Sequence, residues 1–159
     1  MLFTSEQVSA GHPDKICDQI SDAIVTDCLK HDRNSRVAVE AMVKDEHVYV
    51  AGEITSKHEP NIKCIVRDVL LFTQPQLYEG FQLETQISKQ SVDIALGVDK
   101  KGAGDQGMMF GYATSETYKM LPLPFVLATE AIEVLSIKRH SGLLHDAKAQ
   151  VTYDYKRIG

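Results

Sequence analysis

The sequence predicts an α+β fold: two-layer units with helices on one face of a mostly antiparallel sheet. Three observations lead to it. Apolar residues at three- and four-residue steps mark amphipathic helices, first at Ile16, Ile20, Ala23 and Ile24 and again at Ile62, Ile65, Val66, Val69 and Leu70. Between them, two short alternating runs joined by a tight polar turn read as a β-hairpin. A strand stands before the first helix and another after the second, and the order strand, helix, hairpin, helix, strand describes helices layered on a sheet.

In order, Leu2 to Thr4 is a short extended run, followed by small and polar residues to Gly11 and then His12, Pro13 and Asp14. Pro13 suits a first helical turn, where its missing N–H costs nothing and its fixed φ is already helical. "HDRNS" (His31 to Ser35) is a polar turn. Val37, Val39, Ala41 and Val43 alternate with Ala38, Glu40, Met42 and Lys44, and after "KDEH" the second strand runs from Val48 to Ile54. Pro60 and Asn61 open the second helix, which reaches about Phe72; "TQPQ" ends it, and Phe81 to Ile87 reads as a strand. From Ser88 to Gly104 the periodicity stops, and Gly97, Gly102 and Gly104 among Asp99, Lys100 and Lys101 suggest a mobile connection. Met108 to Thr114 reads as a strand, Phe125 to Ser136 as a third helix with a basic end at Lys138, Arg139 and His140, and "AQVTYDYK" as a last strand.

Composition excludes several classes. A chain of 159 residues with 43% hydrophobic and 25% charged residues can bury one core, or one core and part of another. A net charge of −5 without a basic cluster argues against a nucleic-acid partner. There is no apolar run long enough for a membrane and no cleavable signal. Cys17, Cys28 and Cys64 have no C-x-x-C spacing and suggest neither disulfides nor zinc, with Cys28 a packed thiol; a reducing cytoplasm is the simplest location.

The start of the first helix carries the clearest chemistry. Its free backbone N–H groups and dipole suit an anion. His12 can donate to a phosphate oxygen, and Asp14 fits a phosphate site through a bridging divalent cation. The plainer reading is a surface histidine and an acidic residue that complements the dipole. "HPDK" also matches the loop of J-domain co-chaperones, but there a full helix precedes the motif. "GAGDQG" satisfies the dinucleotide pattern G-x-G-x-x-G, but no strand precedes it and a strand is expected after it; no P-loop occurs. Glu40 and Glu53 are carboxylates inside apolar strands, and spacing alone favours solvent-facing positions for both. His140 and His145 are separated by a turn and have no third metal ligand in sight, so both read as surface.

"TSEQVSAGHPDKICDQISDA" resembles the N-terminal signature of the S-adenosylmethionine synthetase family. The resemblance continues through "RVAVEAMVK", "VYVAGEITS", "KQSVDIALGVD", "GAGDQGMMFGYATSE" and "DAKAQVTYDY", in the family's order and over essentially the whole chain. It implies an N-terminal synthetase domain at residues 1–97, and the end of a lid with the first part of the middle domain at 98–159. It implies that the methionine sulfur attacks the ribose 5′ carbon of ATP, that the triphosphate leaves, and that it is then hydrolysed to phosphate and diphosphate. By position in the matching motifs, His12 would bond the triphosphate, Asp14 would hold Mg2+ and Glu40 K+. Glu53, Gln90 and Asp105 would bind methionine, Asp146 and Lys148 would contact ATP, and Lys148 would also stabilise phosphate charge. The Ser88–Gly104 segment would be the lid, with Lys100 and Lys101 where water is excluded.

Three departures follow from the same resemblance. Residues usual between "GVD" and "GAGDQG" are missing, and Val92 replaces a proline. The family's second magnesium aspartate, its phosphate-binding arginine and lysines and its glycine-rich motif would all lie beyond Gly159. Family subunits are homodimers or homotetramers with active sites between subunits, so this chain is not expected to build the site alone. It is expected to be the N-terminal portion of a synthetase, half of a split enzyme working with a separate C-terminal partner, or a non-catalytic, regulatory ATP-binding relative that pairs with full-length subunits.

Overall fold

Residues 1–90, 106–137 and 143–156 are described by the structure, a computed structural model. The element order is β1 (Leu2–Val8), α1 (Pro13–His31), β2 (Arg36–Lys44), β3 (His47–Thr55), α2 (Ile62–Thr73), β4 (Gln82–Ser88), α3 (Leu123–Ile137) and β5 (Lys148–Asp154). Two units divide the chain, one made of Met1–Lys15 with Met109–Gly159 and the other of Ile16–Met108. The α+β class stands, with helices and a mostly antiparallel sheet content.

In the second unit β2 and β3 form the expected hairpin, in register from Arg36↔Thr55 to Lys44↔His47, and β4 adds to β3 in parallel. Asp45 turns the corner at a φ of 53°, a left-handed conformation that aspartate tolerates. Ile16, Ile20, Ile24 and Cys28 of α1 and Val66 and Leu70 of α2 bury against Val39, Val48 and Val50. Full burial of a side chain of this size stabilises by roughly 1.5–3 kcal/mol. The helical spacing therefore named the core correctly, and Cys28 is packed as expected. Burial, then the adjacent Asp27 carboxylate, pushes its thiol up, so it stays protonated at neutral pH. Asn61 caps α2, its side-chain oxygen accepting from the Cys64 N–H at 3.1 Å.

Two turns of this unit are tied together by polar contacts. Asp32 accepts from the backbone N–H of Lys57 and of Asn34, each at 3.0 Å, and the Ser35 and Ser56 hydroxyls are bonded at 2.8 Å. The Lys57 bond first, and then the Asn34 bond, hold the Asp32 carboxyl below its ordinary value of 3.8. A carboxyl with a depressed folded-state value stabilises the fold above the unfolded value and loses that contribution as pH falls through the folded one. Asp32→Asn is therefore expected to flatten the acid-side loss of stability, read by urea unfolding at pH values from about 5 down to about 2.5.

In the first unit β1 pairs antiparallel with β5 from Leu2↔Asp154 to Val8↔Lys148. Pro124, Val126, Ala128 and Ile132 give α3 its buried side, and α3 packs on both strands. Tyr155 follows β5 and its hydroxyl bonds the Glu116 carboxylate at 2.9 Å. Desolvation, with that carboxylate, pushes the phenol up to about 12.

Two expectations need correction. β1 extends to Val8 rather than Thr4, and it does not join the sheet of β2, β3 and β4. Its polar residues Ser5, Glu6 and Gln7 hide the strand from a hydrophobicity pattern, because what holds it is the ladder to β5. Met108 to Thr114 forms no strand. Met109 and Phe110 are 93% and 89% exposed there, and with no partner strand among the described residues the backbone has no ladder to hold it extended. Residues 91–105, with the expected lid, Val92 and Asp105, and the basic end of the third helix lie outside the described residues.

Candidate active site

The turn after β1 is fastened to the segment before β5. The Ser9 N–H donates to the Ala147 carbonyl at 2.9 Å, its hydroxyl donates to the His145 carbonyl at 2.6 Å, and the Ala147 N–H returns to that hydroxyl at 2.8 Å. Gly11 follows with no room for a side chain: a Cβ there would meet the His145 carbonyl oxygen, and would lie 2.6 Å from its carbonyl carbon. These contacts, continuous with the Val8↔Lys148 pair, bring the "HPD" turn beside "DAK", 134 residues apart at His12 and Asp146. His145, read from sequence as a surface residue, is half-buried in this lock.

His12 caps α1. Its Nδ1 accepts from the Asp14 N–H at 3.2 Å, which assigns the ring's N–H donor to Nε2. The Asp14 carboxylate lies 3.9 Å from the same Nδ1, too far for a hydrogen bond, and is 89% exposed. Lys148 on β5 forms a surface ion pair with Glu6 at 2.9 Å, and both side chains are about half exposed. Asp146 is exposed beside a recess of about 100 Å³ bordered by Ser9, Leu135, Leu144 and Ala147. Glu6 was missed by sequence reading; only the β1–β5 register brings it to Lys148.

In the second unit the helices cover one face of the sheet, and the other face carries the remaining candidates. Glu40 is exposed on β2 opposite Ala51, and Glu53 is half-buried on β3 opposite Ala38. They are diagonal neighbours on one face, a relation that sets Cβ atoms about 7–8 Å apart. Gln90, two residues beyond Ser88, lies at the same end: its N–H donates to Thr55 Oγ1 at 3.2 Å and its Oε1 accepts from Arg36 Nε at 2.8 Å. Arg36 is a second residue that sequence reading missed. Its parity with Ala38 and Glu40 in the alternation was the available signal.

A groove of about 810 Å³ in the second unit, lined by Ile54, His58, Pro60, Leu83 and Ile87 among others, contains none of these candidates. The one grouping of metal-ligand side chains among the described residues is Asp27, His31 and His58, and it includes neither Asp14 nor Glu40.

Comparison with known proteins decides the family. Residues 1–101 match the model of the S-adenosylmethionine synthetase N-terminal domain, and residues 100–159 match that of its central domain. The chain belongs to the S-adenosylmethionine synthetase family. Among synthetase relatives, "S-adenosylmethionine synthase 1" of Frankia casuarinae is 46% identical over 178 aligned positions, covering 97% of this chain and 44% of the relative. "S-adenosylmethionine synthase" of Mycoplasma mycoides subsp. mycoides SC is 43% identical over 172 positions, covering 99% of this chain and 44% of the relative. The chain thus spans less than half the length of these synthetases. Both alignments are longer than its 159 residues, so each relative carries residues with no counterpart here.

Proposed function

We propose that this chain supplies the N-terminal part of an active site that forms S-adenosylmethionine from ATP and L-methionine, with release of phosphate and diphosphate. One observation carries the reading: the Ser9–Ala147 lock sets the His12 donor and the exposed Asp14 carboxylate next to the Asp146–Lys148 strand start. In the reaction the methionine sulfur forms a bond to the ribose 5′ carbon as the bond from that carbon to the triphosphate oxygen breaks. Negative charge grows on the leaving oxygens, so fixed donors aimed there lower the barrier. His12 Nε2–H is such a donor, and the Lys148 ammonium turns from Glu6 to phosphate when ATP arrives. Asp146 contacts ATP. Glu53, Gln90 and Asp105 bind methionine, and holding it in place supplies the positioning that the displacement needs.

The donor sets suit the metals. Mg2+ takes one or two carboxylates together with substrate phosphates, which fits the exposed oxygen donors of Asp14. Glu40 offers an exposed carboxylate for K+. Bound Mg2+ would neutralise phosphate charge, and K+ would organise the methionine side. The open sheet face, with Glu40 and Met42 exposed, is suited to a second copy in a homodimer or homotetramer. Three free thiols and the absence, among the described residues, of a helix able to cross a membrane accord with a cytoplasmic location.

The test mixes this chain with the remaining C-terminal portion of a family relative, ATP, methionine, Mg2+ and K+, and reads S-adenosylmethionine. Product only on mixing is the expected result. Nucleotide binding without product in any mixture would favour a regulatory relative that pairs with full-length subunits. Full product from this chain alone would overturn the division of the site.

A further inference from the structure

We propose that Asp27, His31 and His58 form a Zn2+ site on the second unit, separate from the substrate-binding residues, that staples the end of α1 to the turn between β3 and α2. One ligand atom from each side chain lies within 4.8 Å of the other two. His58 Nε2 is 2.7 Å from Asp27 Oδ2, and His31 Nδ1 is 3.6 Å from Asp27 Oδ1. Zinc–nitrogen and zinc–oxygen bonds near 2.1 Å with tetrahedral angles set ligand atoms about 3.4 Å apart, so the His31 separation is close to what the metal requires and the His58 one must lengthen. Asp27 and His31 stand at i and i+4, successive positions on one helix face.

The chemistry of the set selects the metal class. Two imidazoles and one carboxylate match a borderline cation, whereas Mg2+ and K+ prefer oxygen alone. The His31 and His58 rings stack 4.0 Å apart at 20°, so binding requires one ring to leave the stack. His31 Nδ1 now lies 2.9 Å from the Asp27 carbonyl, and ligation through that nitrogen replaces this contact. With three protein ligands, water completes the coordination.

The scaffold is already in place. The Lys57 N–H is held by Asp32, the His58 N–H by Ser56 Oγ at 3.0 Å, and Ser56 by Ser35. Binding therefore orders little more than two rings. The metal joins positions 27 and 58 and raises the stability of the unit by mass action.

The test is calorimetric titration of Zn2+ into the tag-free, chelator-stripped chain without nucleotide, in excess Mg2+, at neutral pH. One Zn2+ per chain is expected, with a rise in Tm. His31→Asn and His58→Asn should each weaken binding at least tenfold and abolish the Tm rise. His47→Asn, altering a histidine beside Glu46 on β3, should change neither. Melting in chelator verifies that each variant is folded, and Co2+ absorption provides a second readout that the two ligand variants should lose. Equal weakening by His47→Asn, unchanged affinity in His58→Asn, or no detectable Zn2+ binding would each overturn the site. None of these results bears on S-adenosylmethionine formation.

Discussion

His12→Asn is expected to lower S-adenosylmethionine formation about 10²–10³-fold in an assembled, active form, the usual cost of losing one charge-stabilising donor. Folding should be unaffected. The imidazole has two jobs on two nitrogens: Nδ1 accepts the Asp14 N–H at the start of α1, and Nε2–H is the donor proposed for phosphate. Asparagine keeps a side-chain acceptor for the cap but cannot extend a donor as far. His12→Ala should show the same catalytic loss together with about 1 kcal/mol of lost stability from the missing cap. Steady-state assays of both variants, with thermal melts of the isolated chain, separate the two jobs. Unimpaired turnover in either variant would remove His12 from the proposed mechanism.

Gly52→Ala is expected to destabilise the second unit by at least about 3 kcal/mol, a large fraction of the stability of a domain this size. Gly52 stands in β3 opposite Val39 with a φ of 147°, a conformation that side chains rarely adopt. A Cβ there would run into the Ala38 carbonyl oxygen and lie 2.8 Å from the Val39 Cα. Both are backbone atoms of the paired strand, so no rotamer change relieves the contact. The strand must move, and a slip of one residue would carry Glu53 to the helix-covered face. Urea unfolding gives the measurement. Gly80→Ala, where no atom lies within 4 Å, is the control and should be close to neutral. Near-wild-type stability for Gly52→Ala would mean that the β2–β3 pairing is looser than the register indicates.

The sequence by itself determined the helices, the hairpin, the opening of the second helix at Pro60 and Asn61, and the family. These signals are local: a 3.6-residue period selects Ile16, Ile20 and Ile24 for one face, and alternation pairs β2 with β3 across a two-residue corner. Partners far apart in the chain were decided only by tertiary structure. β1 turned from the expected sheet to β5, and Met108 to Thr114, apolar enough to read as a strand, stayed irregular. Strand pairing depends on which backbone edge is within reach, which no window of residues encodes. The same holds for side-chain groupings. Glu40 and Glu53 looked like solvent-facing carboxylates, and the register sets them diagonally on one open face with Arg36 and Gln90 at its end. Glu6 meets Lys148, and His58 meets Asp27 and His31, only because separate strands and turns converge. Local residue patterns are fixed by covalent geometry, whereas these neighbours depend on folding to pair backbone groups that lie many residues apart.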